Sequence, residues 1–250
     1  MVLGDNIFAD HEETLKLTSN AMYVNNGIIV KNLAALIPAK PTKGTHRFTI
    51  FTMGRICHQK NSKLFNDSAK AMPELRFVWI GDGELKDELS SENIEITGWV
   101  DREEALKLAV DSDVFILTSL GEGLPVSLLE AMYMKKICVV SNVIGNRDVI
   151  HNEVNGYVCD GLDDLLKSME IIRNNNQDSI IENAYQDVIN EYNTEVMAET
   201  YLSIYKIRGG QQRNVNMLLY VLSITSYNQF CVMIGERWLQ HDESTYRICI

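Results

Sequence analysis

Basic charge is what this chain is short of. Its 250 residues hold 23 Lys and Arg against 34 Asp and Glu, a net charge of −11, and the cations form no long run. Nucleic-acid binding rests on clustered cations that neutralise phosphates, so that class is excluded. Electrostatic adhesion to anionic lipid is excluded by the same deficit. Cysteine is sparse and unpatterned: Cys57, Cys138, Cys159, Cys231 and Cys249 are odd in number and show no CxxC spacing. That argues against a disulfide framework or a zinc site and for a reducing compartment. His11, His46, His151 and His241 show no metal-ligand spacing either. No apolar run is long enough to span a membrane. Residues 217–224 are strongly apolar, but Thr225, Ser226, Asn228 and Gln229 follow, and a span needs about 20 predominantly apolar residues. The first residues, Met1-Val2-Leu3-Gly4-Asp5, lack the basic and apolar regions of a signal peptide. The expected location is cytoplasmic, with membrane association at most peripheral, at the inner membrane face.

What is present is a core: apolar residues make up 46% of the chain, enough for a globular domain. Residues 47–54, 76–81, 93–99, 113–119, 137–142 and 156–159 read as strands. Helical patterns occupy 61–72, 84–90, 125–134, 161–173, 179–191 and 195–207, and the pair Asp101 and Glu104 opens another helix that runs to about residue 110. Alternating strands and helices predict a parallel α/β sheet covered on both faces. Near-continuous apolar strands such as 113–117 agree, because central parallel strands are buried on both sides. Ligands bind such sheets at the carboxyl ends of the strands. Gly54-Arg55, Gly81-Asp82-Gly83, Gly98-Trp99 and Ser119-Leu120-Gly121-Glu122 all fall at strand ends, so they should meet in one crevice.

The run Gly121-Glu122-Gly123-Leu124-Pro125-Val126-Ser127-Leu128-Leu129-Glu130 carries the chemistry. Pro125 fits the first helical position, where its missing N–H costs nothing. The amides of Gly123 and Leu124 would then point out of the helix start and, with the helix dipole, form an anion site. Glycine at 121 and 123 lets a ligand approach the backbone. Glu130 follows Pro125 by five residues, roughly 7.5 Å along the axis, a reach from a diphosphate to a ribose whose hydroxyls a carboxylate accepts. Glu122 precedes the helix, where an attached sugar would lie. Spacing alone leaves the two glutamates as readily a loop acid and an exposed helix acid; the turn, the proline and the buried strand before them favour the ligand reading. His58 lies between Arg55 and Lys60 and is as readily a plain loop histidine as a phosphate contact. Asp111-Ser112-Asp113 imitates an Asp-x-Asp metal motif, but it precedes its strand and is read as structural.

The stretch resembles the Glu-x7-Glu signature of retaining GT-B glycosyltransferases of the family 4 type. The resemblance covers about residues 22–207. It includes Asn25-Asn26-Gly27-Ile28 at the interdomain crossover, Gly54-Arg55 with Lys60-Asn61, Ile80-Gly81-Asp82-Gly83, and the base-side loop Thr97-Gly98-Trp99-Val100. It implies a Rossmann-like sheet forming the C-terminal, donor-binding domain of a GT-B fold, with the N-terminal domain largely missing. It also implies that Arg55 and Lys60 bind the leaving diphosphate, that Glu130 holds the ribose and that Glu122 contacts the donor sugar. Gly54, Gly81, Gly98, Val100, Gly121, Gly123, Leu124 and Pro125 line the donor site by the same resemblance. No metal or other cofactor is implied. The expected partners are a nucleotide-diphosphate sugar and a glycan or lipid-linked acceptor, in bacterial surface-polysaccharide assembly.

The chain then divides into a remnant of an acceptor domain and crossover (1–36), a linker (37–46) that holds two of the four prolines, the donor domain (47–208) and a tail (209–250) with no counterpart in the family. Lys135-Lys136 replaces a glycine usual in the family and predicts a changed loop there. The alternative reading is a non-catalytic nucleotide-sugar-binding module, or one subunit of a split enzyme whose second chain supplies the acceptor domain. A sugar-nucleotide epimerase of related fold would need other acids in the cleft.

Overall fold

A computed structural model describes residues 2–4, 22–36 and 47–207. The chain divides into two compact units, Met1–Met197 and Ala198–Ile250. Two short strands, β1 (Val2–Gly4) and β2 (Met22–Val24), pair in parallel, and helix α1 (Val30–Leu36) follows. Then come β3 (Thr49–Met53), α2 (Ser62–Ala71), β4 (Arg76–Ile80), β5 (Ile94–Ile96), α3 (Arg102–Val110), β6 (Val114–Leu117), α4 (Val126–Tyr133), β7 (Ile137–Ser141), α5 (Asn146–Val149), β8 (Tyr157–Cys159), α6 (Leu162–Asn174), α7 (Asp178–Asn190) and α8 (Thr194–Ile207). The expected helix at 84–90 shrinks to a single 3-10 turn, Lys86–Glu88, and α5 is an addition to the sequence reading. The expected linker 37–46, the tail 209–250 and the apolar run 217–224 lie outside the described residues. Among those described, no helix is long and apolar enough to cross a membrane.

Six strands form one parallel sheet in the order β5-β4-β3-β6-β7-β8. From β3 the chain winds outward through β4 to β5, then returns to β6 and winds the other way. That is the doubly wound, Rossmann-like arrangement, with its switch point between β3 and β6. Every β3 residue is buried, as is every β6 residue, because successive side chains enter opposite layers. Phe51, Met53, Phe115 and Leu117 face a core shared with Leu106 of α3, Leu128 and Leu129 of α4 and Val188 of α7. Ile50, Val114 and Ile116 face the other core, with Phe65 of α2 and Leu165 and Met169 of α6.

Phe65 shows how the second layer is held. Its ring meets Phe77 and Trp79 edge-on, with centroids 5.4 and 5.0 Å away, contacts worth about 0.5–1.5 kcal/mol each beyond area burial. Phe65→Ala would cost about 3–5 kcal/mol. Local signals start the helices above the sheet. Asn61 caps α2 by accepting from the Leu64 amide (3.3 Å), and Asp101 caps α3 by accepting from Glu104 (2.9 Å). The segment before α1 is pinned too: the Ile28 amide donates to the Tyr192 carbonyl (2.9 Å), and the Thr194 amide donates to the Ile28 carbonyl (3.2 Å).

Candidate active site at the switch point

A doubly wound sheet opens its crevice at the carboxyl ends of the strands where the order reverses, here at the ends of β3 and β6. The Gly54 amide donates to the Ile80 carbonyl (3.0 Å), and its own carbonyl accepts from Trp79 Nε1 (2.9 Å). Gly81, at φ 145°, passes so close that a Cβ there would stand 2.2 Å from the Gly54 oxygen. No side chain fits that position. The Gly81 amide donates to Thr97 Oγ1 (3.0 Å), so the ends of β3, β4 and β5 form one row. Across the switch, Thr118 Oγ1 donates to the Lys60 carbonyl (2.8 Å), the Leu120 amide to the Gln59 carbonyl (2.8 Å) and Gln59 Nε2 to the Gly121 carbonyl (2.8 Å). These bonds stitch the loop after β3 to the loop after β6.

That stitching brings Lys60 onto Glu122, with Nζ 2.6 Å from Oε1 and side chains 14% and 7% exposed. Ser119 Oγ donates to the same Glu122 oxygen (2.5 Å). The stem of Lys60 passes over Gly54, its Cε 3.6 Å from where a Cβ would be. A hydrogen-bonded, shielded ion pair therefore sits at the switch point. Arg55 lies at the same strand end, but half-exposed, with Nε 3.0 Å from Glu84 Oε2. Of the two expected cations, Lys60 meets one of the expected acids directly. An added Cβ would meet nothing within 4 Å at Gly98 or Gly121, so both border open space. Val100 packs its side chain against the core, whereas Trp99 beside it is 82% exposed.

The start of α4 differs from expectation. Pro125 is the N-cap residue, in extended conformation (φ −73°, ψ 112°), not the first helical residue. Its carbonyl takes the amides of Leu128 (3.0 Å) and Leu129 (3.3 Å). No side chain caps the helix, so the unclaimed amides of the first turn are those of Val126 and Ser127. The free amides at this helix start are thus those of Val126 and Ser127, where the sequence reading expected those of Gly123 and Leu124. The Leu124 side chain is buried, and the Gly123 carbonyl abuts Gly145.

Glu130, the fifth residue of α4, is buried, 7% exposed. Arg102 Nη2 reaches its Oε1 at 2.5 Å. Burial pushes the Glu130 carboxyl up from its ordinary value, and the charge and hydrogen bond of Arg102 pull against that.

Other sequence expectations settle at once. Asp113 Oδ2 accepts from the Thr49 amide (2.8 Å), so it splices β6 to β3 in a structural role. His58 is exposed on the 3-10 turn His58–Lys60. The loop where a lysine pair replaces glycine keeps a left-handed residue, Lys135 at φ 57°. Lys135 Nζ bonds Glu182 (2.8 Å) and stands 4.5 Å from the centre of the Tyr185 ring. Lys136 Nζ donates to the carbonyls of Val110 and Ser112, both at 2.6 Å.

Sequence reading missed Arg102, Gln59 and Gly145. Gly145 was within reach, since it follows a strand as the other site glycines do. At φ 85°, a Cβ on it would stand 1.9 Å from the Gly123 carbonyl oxygen, so it backs the loop that holds Glu122. Arg102 gave no local signal, because its partner lies 28 residues away.

Fold and site together define a Rossmann-like α/β domain with an ion-paired mouth at its switch point. The chain belongs to the glycosyl transferases group 1 family, which residues 35–187 match. It is 28% identical over 228 residues, covering 78% of this chain and 58% of the relative, to an Escherichia coli UDP-Gal:alpha-D-GlcNAc-diphosphoundecaprenol alpha-1,3-galactosyltransferase. A Campylobacter jejuni N,N'-diacetylbacillosaminyl-diphospho-undecaprenol alpha-1,3-N-acetylgalactosaminyltransferase is 27% identical over 165 residues, 62% of this chain and 44% of the relative. The chain thus spans about half the length of these relatives. Among solved structures, Staphylococcus aureus TarM with UDP superimposes with a TM-score of 0.64 at 20% identity, over 78% of this chain and 41% of TarM. A glycosyltransferase from Rickettsia africae gives 0.66 at 17% identity, over 78% and 60%. The shared fold is that of GT-B glycosyltransferases.

Proposed function

We propose that this chain is the donor-binding half of a retaining glycosyltransferase of the family 4 type. It would transfer a sugar from a nucleotide diphosphate to a lipid-linked diphosphate acceptor in bacterial surface-polysaccharide assembly, at the cytoplasmic face of the membrane. The observation that carries the reading is the Lys60–Glu122 pair bridging the ends of β3 and β6. The names of the relatives support the acceptor class, since both describe undecaprenol diphosphate substrates.

Cleavage of the sugar–phosphate bond develops negative charge on the diphosphate. Lys60 spends one of its three donors on Glu122 and keeps two for phosphate. Arg55 and the Val126 and Ser127 amides join it, and Glu122, fixed by Lys60 and Ser119, orients the sugar. Glu130 takes the ribose hydroxyls. The acceptor hydroxyl attacks the anomeric carbon on the face the diphosphate leaves. Loss of one fixed donor to the leaving group costs about 3 kcal/mol, roughly 100-fold in rate. Fixed cations and amides carry the charge in this reading, so it needs no metal.

The test is transfer from a panel of UDP- and GDP-sugars to an undecaprenyl-diphosphate-linked sugar, with product anomers read by NMR. Retention of the donor's configuration and a roughly 100-fold loss in Lys60→Ala are expected; an inverted product would refute the mechanism. One observation favours a second reading. Among the described residues, the site groups all come from the loops and helices that follow the strands of the one six-stranded sheet. On that reading the chain is a binding module or one subunit of a split enzyme, and transfer by the purified chain alone would exclude it.

A further inference from the structure

We infer that Arg102 is a positioning residue of the donor site: it holds Glu130 with one carboxylate oxygen engaged and the other presented to the ribose. The inference rests on the reading of Glu130 as the ribose acid and deepens it, because nothing in that reading needs Arg102.

The geometry is asymmetric. Arg102 Nη2 is 2.5 Å from Glu130 Oε1; among the described residues no group hydrogen-bonds Oε2. The arginine side chain is 46% exposed and the glutamate side chain 10%. A half-exposed guanidinium loses little hydration, while the shielded carboxylate depends on it. One oxygen is thus fixed and the other is left to accept. Position strengthens the case. Arg102 is the first residue of α3, directly after the cap Asp101 and the base-side loop 97–100. The pair therefore ties the loop at the end of β5 to the helix after β6, so the base-side loop and the ribose acid move as one unit.

Among the described residues, no other ionisable group does this work. On the elements around α4, Lys135 pairs with Glu182, Asp187 accepts from Asn155, Lys31 pairs with Glu195, Lys107 pairs with Glu103, and Tyr133 stacks on Tyr185. Among the described residues, Arg102 is the charge that opposes the desolvation of Glu130. Without it, the shielded carboxyl takes a proton more readily, and a protonated acid is a poorer acceptor for the ribose diol.

The experiment is calorimetric titration with uridine and guanosine diphosphates and their 2′-deoxy counterparts, from about pH 6 to about pH 9. Wild type, Arg102→Gln, Arg102→Lys and Glu130→Gln are compared. Wild type should prefer the ribo- over the deoxyribonucleotide by about tenfold throughout, the scale of one hydrogen bond to a charged group. In Arg102→Gln the preference should fall to about twofold, most of all at the acid end, where a shielded carboxyl stripped of its cation is protonated most. Arg102→Lys should restore it. Merely structural damage would weaken both nucleotides alike at every pH, and that result overturns the proposal. If Arg102→Gln keeps the full preference while Glu130→Gln loses it, the proposal falls and the ribose reading stands. If Glu130→Gln keeps the preference, or no nucleotide binds wild type, the donor-site reading falls and this proposal with it.

Discussion

Lys60→Met isolates the ion pair at the switch point. Methionine keeps the stem that crosses Gly54 but removes the charge. Glu122, 7% exposed at its side chain, then keeps only the Ser119 hydroxyl among the described residues. Breaking one side of a buried pair costs about 3–5 kcal/mol. The remaining serine bond and the rim position place this case near about 3 kcal/mol. For a unit of this size each kcal/mol moves Tm by about 2–4 °C, so a fall of roughly 6–12 °C follows. Adding Glu122→Gln removes the stranded charge and should recover about 2 kcal/mol, a coupling of the size seen between touching residues. The assay is urea unfolding of the four proteins of the cycle, followed by far-ultraviolet circular dichroism. A Lys60→Met protein within about 0.5 kcal/mol of wild type would refute the reasoning. So would a double variant as unstable as the two single changes added together. Either result would mean that the pair is solvated like an ordinary surface contact.

Glu130→Gln should be neutral to stabilising by about 1 kcal/mol or more, because it removes a shielded charge whose partner is half in water. The sign follows from the raised carboxyl: its penalty is absent below the unfolded value, grows as pH rises from there to the folded value, and is fully present above it. Denaturant midpoints should therefore show the variant gaining on wild type with pH, and a widening deficit instead would contradict the burial argument. Lys135→Gly should be more stable than Lys135→Ala by about 1 kcal/mol, since both lose Glu182 and Tyr185 while only glycine relieves the left-handed backbone. Equal melting temperatures for the two would remove the strain. Gly145→Ala places a methyl 1.9 Å from the Gly123 oxygen at a positive φ. It should cost about 1–3 kcal/mol and weaken nucleotide binding, and calorimetry showing wild-type affinity would separate Gly145 from the loop that holds Glu122.

Local chemistry made much of this legible. The apolar strands at 47–54, 76–81 and 113–119, the Asp101 cap and the glycines at strand ends are written in neighbouring residues, and neighbours decide secondary structure. The helix at 84–90 was over-read because polar residues at 3.6 spacing do not show that the turn is too short to bury a face. Pro125 was placed one position too far into α4 because a proline suits either side of a helix start, and only the carbonyl's partners at Leu128 and Leu129 tell them apart.

The sequence by itself determined that this is a parallel α/β domain whose strand-end loops gather glycines, cations and acids. It could not order the strands, so it could not know that the loops after β3 and β6 share the switch point. Tertiary structure decided the partners: Lys60 with Glu122 across 62 residues, and Arg102 with Glu130 across 28. The physical reason is that a charge finds its partner through space under desolvation, while sequence spacing constrains only what lies within a turn or two of backbone.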